Sequence, residues 1–156
     1  MRLLHIITGL AFFMILFSSC LKKDLPALPL WNGTQITNVY FEYRYLDTAN
    51  VWQGAPVVAY KSLDATKTVD SAHATISISI TVPPVSGSFD AAQRAKVSLD
   101  HLWCFMDLST AASVVPVNDA PAQGFFGDFS KPQQYKVTAA DGSSQVWTLT
   151  VVDFIK

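Results

Sequence analysis

Two thiols, Cys20 and Cys104, three histidines and twelve carboxylates, of which only Glu42 is a glutamate, are the groups here that could do covalent or proton-transfer chemistry. Their spacing argues against most of it. No His, Cys, Asp or Glu pair recurs at the spacing of a zinc site. The aspartates are dispersed singly along the chain, whereas calcium ligands cluster. A nucleophilic serine needs a tight turn that presents it and a histidine in reach, and Gly87-Ser88 does not make that motif. Nothing singles out a pair of carboxylates for glycoside hydrolysis. Cys104, between Trp103 and Phe105, reads as a buried, inert thiol. The expectation is a protein with no catalytic residues, no metal and no cofactor, and a hydrolase is the least favoured reading.

Cys20 is the exception, because its chemistry is set by what precedes it. Arg2 supplies a positive start, Ile6 to Phe17 is apolar but for Thr8 and Gly9, and small Ser18 and Ser19 lead to the cysteine. A membrane-spanning helix needs about 20 apolar residues, and this run stops short of that, with Lys22 and Lys23 soon after. Small residues followed by Cys resemble the bacterial lipobox, in which the thiol is lipidated and the chain is cut before it. Residues 1–19 are therefore expected to be a removed signal peptide, and Cys20 the lipidation site that holds the protein at the outer membrane. Removal of Arg2 makes the formal charge one unit more negative than the −1 of the full chain. Lys22-Lys23 is the longest basic run, so no phosphate-binding surface and no nucleic-acid partner are expected. With Cys20 acylated, Cys104 has no disulfide partner.

Aromatic side chains offer a different kind of chemistry, stacking on a ligand without reacting. Trp52 lies in the turn-like Asn50-Val51-Trp52-Gln53-Gly54, and Phe125-Phe126 is flanked by Gly124 and Gly127 in a long loop. Trp52, Phe125 and Phe126 are the candidate ligand-binding residues. Trp103 and Trp147 sit within strand-like runs and are expected in the core. Asp47-Thr48-Ala49 and Asp70-Ser71-Ala72 resemble an O-glycosylation signal.

The elements that must position these groups are strands. Residues 20–34, with Pro26 and Pro29, read as a short tether, which predicts that whatever the domain binds lies close to the membrane. From Ile36 the periodicity is two: Val39, Phe41, Tyr43 and Tyr45 alternate with Tyr40, Glu42 and Arg44. Pro56 to Ser62 is a second strand. In Ala74 to Val82, Ile76, Ile78, Ile80 and Val82 face away from the intervening Thr and Ser, and Pro83-Pro84 ends the run. Asp90 to Lys96 favours helix, whereas Leu102 to Leu108 favours a buried strand. A long loop follows from Pro116 to Lys131. The last two strands, through Tyr135 and Val137 and through Trp147 and Leu149, flank Asp141-Gly142. Matching their apolar faces requires an odd loop, and pairing of Val137 with Trp147 and Tyr135 with Leu149 is expected. Asp128 and Asp141 are expected to cap turns.

Gly127-Asp128-Phe129-Ser130-Lys131-Pro132, then Tyr135 to Ser143 and Trp147-Thr148-Leu149-Thr150-Val151, resemble a recurring ending. It is found on immunoglobulin-like domains of Bacteroidetes surface lipoproteins, in families catalogued as domains of unknown function. The resemblance spans about Ile36 to Val151. It implies a β-sandwich and an envelope location and supplies no catalytic residues. Independently, some seven short strands without long helices point to a sandwich. The expected organisation is thus a signal peptide (1–19), a lipidated cysteine and tether (20–34) and an all-β, immunoglobulin-like sandwich (35–156). Its expected role is binding a polysaccharide or an envelope protein at the membrane. A structural or adhesin subunit that pairs through a strand edge is the alternative.

Overall fold

Two long strands, β1 (Ile36–Trp52) and β2 (Ala55–Asp70), open the domain, with clear apolar–polar alternation over Val39 to Tyr45 of β1. In the computed structural model, which describes residues 29–156, they meet at Gln53-Gly54. Both turn residues take positive φ, 50° and 84°, and a two-residue turn of that hand matches the twist of the flanking strands. The remaining strands are β3 (Thr75–Thr81), β4 (Leu102–Leu108), β5 (Ser113–Val117), β6 (Phe126–Gly127), β7 (Gln133–Thr138) and β8 (Ser144–Ile155). A short helix, α1 (Ala91–Lys96), begins at Asp90, whose carboxylate accepts the Gln93 N–H at 2.8 Å. Cys20 lies outside the described residues.

The strands form one sheet in the order β5-β7-β8-β3-β2-β1-β4-β6. Strand β2 belongs to both halves. It pairs with β1 from Ala55 to Leu63 and with β3 from Asp64 to Asp70. The sheet curls about this shared strand, so that the buried faces of the two halves meet in one core. Val39, Phe41, Leu102, Cys104 and Met106 come from one half, and Ile76, Ile78, Ile80, Tyr135, Val137, Trp147 and Leu149 from the other. Phe41 meets Phe129 edge-on at 5.1 Å, a favoured geometry for rings in a core. Every strand pairing is antiparallel except that of β3 with β8. The fold is all-β, as the periodicity predicts.

Four local expectations need correction. The strands are not uniformly short: β1 and β2 each run well beyond the segments marked by clear alternation. Over Asp64 to Asp70, β2 carries small and polar side chains, so alternation is faint where pairing with β3 continues. The β7–β8 loop is odd, but the register is tighter than expected by two residues: Tyr135 pairs with Trp147 and Val137 with Gln145. Both registers put the same side chains inside. The tighter one is closed by the Ala139 N–H on the Ser143 carbonyl (2.9 Å), with Gly142 at φ 89°. The third concerns Trp103, which is not in the core. Within the expected Pro116–Lys131 loop, Phe126–Gly127 pairs with β4 as the short strand β6. Leu102–Leu108 is strand as expected, and Asp128 and Asp141 accept the N–H groups of Ser130 and Ser143.

The N-terminal segment packs beside that last turn. The Trp31 carbonyl accepts from the Asp141 N–H (3.2 Å) and the Thr34 carbonyl from the buried Trp147 indole (2.7 Å). The chain therefore enters at the Asp141-Gly142 end, and the Gln53-Gly54 turn lies at the other.

Candidate functional site

The outer face of the β1-β4-β6 half is built from residues the core rejects. In β4, Leu102, Cys104 and Met106 point inward, which leaves Trp103, Phe105 and Asp107 outward. In β1, Val39, Phe41 and Tyr43 are buried, and Tyr40, Glu42 and Arg44 face out. Register then sets these side chains side by side. Glu42 lies opposite Trp103, Tyr40 opposite Phe105, and Trp103 opposite Phe126.

The result is a strip of rings with a cation over it. The Arg44 guanidinium sits 4.0 Å from the Trp103 ring centroid and 5.7 Å from that of Phe105. Glu42 holds it there, accepting from Nη2 at 3.1 Å and from Nε at 3.3 Å. Phe125 lies nearly parallel to Trp103 at 6.5 Å, Phe126 is tilted against it at 6.0 Å, and the His101 ring lies 4.5 Å from that of Phe126. Tyr40 donates to the Asp107 carboxylate at 2.5 Å, and that bond raises the phenol's pKa.

Backbone geometry fixes the two phenylalanines. The Gly124 N–H donates to the Cys104 carbonyl at 2.8 Å, tying the loop to the edge of β4. A Cβ on Gly127 would fall 2.1 Å from Pro121 Cγ, so only glycine lets the chain pass close enough for β6 to form. Phe125 and Phe126 are left 61% and 53% exposed.

Of the expected ligand-binding residues, Phe125 and Phe126 share this strip and Trp52 does not. Trp52 is 73% exposed at the tip of the β1–β2 hairpin. At ~3.3 Å per residue along β1 from Glu42 it stands on the order of 30 Å away. Trp103 and Arg44 are the members that sequence reasoning missed. A signal for both was present, since each alternates with a buried residue and Trp103 shares its face with Asp107. Trp147, by contrast, is in the core at 2% exposure.

The strip offers rings to stack on and the polar groups of Arg44, Glu42, Tyr40 and Asp107 beside them. Cys104 is buried, and desolvation pushes its thiol pKa far up. His73 is bonded to Asp70 (2.7 Å) in the turn before β3. Among the described residues no three His, Cys, Asp or Glu side chains gather as a metal site requires. No helix among them is long and apolar enough to cross a membrane.

Residues 36–150 match a family described as DUF5018-related. Among solved structures, a Bacteroides fragilis protein inferred to be secreted is 36% identical, with a TM-score of 0.75; the match covers 82% of this chain and 100% of that one. A Bacteroides thetaiotaomicron protein assigned as a glycoside hydrolase is 20% identical, with a TM-score of 0.43 over 85% of this chain and 27% of that one. So slight a likeness carries no argument about activity. Among curated proteins, none matches.

Proposed function

The chain belongs to the DUF5018-related family, and from that premise we propose that it is a non-enzymatic binding module of the cell envelope, anchored by lipid at Cys20, that captures glycan on its exposed aromatic strip. The observation that carries this reading is the set of Trp103 on β4, Phe126 on β6 and Phe125 in the bend before it, side by side, with Arg44 packed over the indole. Sugar rings present flat C–H faces that stack on such side chains, and hydroxyl groups that the flanking Glu42, Arg44 and His101 can meet. Rings set on strands and a glycine-pinned loop lose little freedom on binding. The lipobox-like run before Cys20 and the secreted character inferred for the Bacteroides fragilis relative both support an envelope or exported location.

Affinity electrophoresis of the purified domain in gels containing soluble polysaccharides tests the binding. Retardation by at least one neutral polysaccharide is expected, with Trp103→Ala and Phe126→Ala each weakening it about tenfold, near 1.4 kcal/mol. Migration unchanged in every gel, or full retention of binding in both variants, overturns the reading. The anchor is tested separately: labelled palmitate should enter the wild-type protein in cells and not Cys20→Ala.

A further inference from the structure

We propose that the cleft on the other side of Phe126 is the specificity site of this surface and holds an uncharged, hydroxyl-rich pyranose unit of the captured chain. The proposal rests on the glycan-binding reading above and narrows it. The cleft opens where the curled sheet fails to close, between the β5–β7 edge and β6. Its volume is ≈ 600 Å³, within the ~300–1,000 Å³ range of small-molecule sites. One wall is the turn after β5, with Asn118 and Asp119; the other is Phe126 and Asp128; Gln134 and Lys131 complete it.

The chemistry of these side chains selects among ligands. Asn118 and Gln134 carry carboxamides, which both donate and accept, and they approach within 3.5 Å of each other. Two carboxylates offer acceptors only, and one of them is held in place: Asp128 accepts the Ser130 N–H at 2.8 Å. The Ser130 side chain and backbone, with Lys131, hold its carboxyl below the ordinary range, so it is ionised at neutral pH. Asp119 meets no hydrogen-bond donor among the described residues. Acceptors in excess suit a ligand rich in O–H donors. Asp119 and Asp128 against Lys131 leave the cleft with a net negative charge, which repels a uronate, sulfate or phosphate. At the neighbouring strip the one guanidinium, Arg44, is already committed to Glu42. Phe126 belongs to both places, so a chain stacked on Trp103 and Phe125 can continue into the cleft.

Isothermal titration of the purified domain with maltohexaose, cellohexaose, mannohexaose and hexagalacturonate tests this. The expected result is that at least one neutral hexasaccharide binds and that hexagalacturonate binds at least tenfold more weakly. The Asp119→Asn/Gln134→Ala double variant should lose at least tenfold for the neutral ligand, and Asn118→Gly, in which glycine keeps the φ of 54° without strain, should lose part of that. All three positions are exposed, and an unchanged thermal midpoint shows that the fold is intact. Unchanged affinity in these variants, alongside loss in Trp103→Ala, overturns the cleft and leaves the strip standing. Hexagalacturonate binding as tightly as the neutral sugars also overturns it. No hexasaccharide binding alongside retardation in the polysaccharide gels overturns the cleft; no binding in either assay overturns the glycan reading itself.

Discussion

Cys104 and Asp47 show how one side chain's surroundings decide its behaviour. Cys104 faces the core between two outward aromatic neighbours, with 1% of its surface exposed. Removal from water penalises the thiolate, so the reactive form is almost unpopulated at neutral pH. In a Cys20→Ser variant, Ellman's reagent should leave Cys104 unmodified at pH 8 and label it fully in denaturant; labelling of the native protein within minutes would contradict the burial. Asp47 is also buried, yet its carboxylate is well provided for. The Ser88 hydroxyl and Asn50 amide lower its pKa below the ordinary 3.8, and the N–H groups of Ala49 and Asn50 add to this. A carboxyl with a depressed folded-state pKa contributes its full stability above the unfolded value of about 4, and loses it as pH falls through the folded value. Asp47→Asn is therefore expected to unfold at lower urea than wild type at pH 7, with the gap narrowing below about pH 4. A gap that is the same at pH 7 and pH 3 would remove the carboxylate from the account.

Among the elements, the two hairpins depend on turn chemistry in different degrees. At the β7–β8 loop, Asp141 accepts from the Ser143 N–H and hydroxyl (2.9 and 2.6 Å), while Gly142 takes a φ of 89°. Space around Gly142 is open, so the cost of a side chain there is backbone strain alone. Gly142→Ala should destabilise by about 1 kcal/mol in urea titration; a neutral result would mean that the loop readily adopts another geometry. The register of this hairpin was only half legible. Alternation fixes which side chains are buried, and two registers two residues apart bury the same set. The closing bond from Ala139 to Ser143 and the side-chain bonds of Asp141 choose between them. Edge chemistry bears on the adhesin alternative. Strand β5 is an outer strand and contains Pro116, which lacks an N–H and so blunts that edge against pairing with another chain.

Across the whole molecule, the end where the segment from Trp31 to Thr34 packs and the hairpin tip are opposed. Trp31 docks at the Asp141 turn, whereas Trp52 stands at the far end of β1, on the order of 50 Å away at ~3.3 Å per residue. The aromatic strip lies between them, so a ligand held there would sit alongside the sheet rather than at either end. Trp147 joins the parts: its ring fills the core, and its indole N–H reaches the Thr34 carbonyl of the entering chain. Trp147→Ala should cost about 3–5 kcal/mol, and Trp52→Ala about 0.5 kcal/mol or less. Similar losses in the two variants would place both tryptophans in one packing environment, against the fold described.

The sequence by itself determined the all-β class, the isoleucine face of β3, the strand from Leu102 to Leu108, and the exposure of Phe125 and Phe126 between glycines. These follow from period and local chain chemistry, which act over a few residues. Tertiary structure decided which aromatics stand together. Trp103 and Phe126 meet because β4 and β6 pair across a long loop, and Arg44 reaches them only through the β1–β4 register. Trp52 is excluded from the strip because β1 continues past the end of its pairing with β4. Hydrophobic alternation specifies a face for each strand. It does not specify the neighbour, because burying a face releases nearly the same free energy against any complementary sheet. Pairing, curl and the open edge that makes the cleft are settled only when all eight strands share one core.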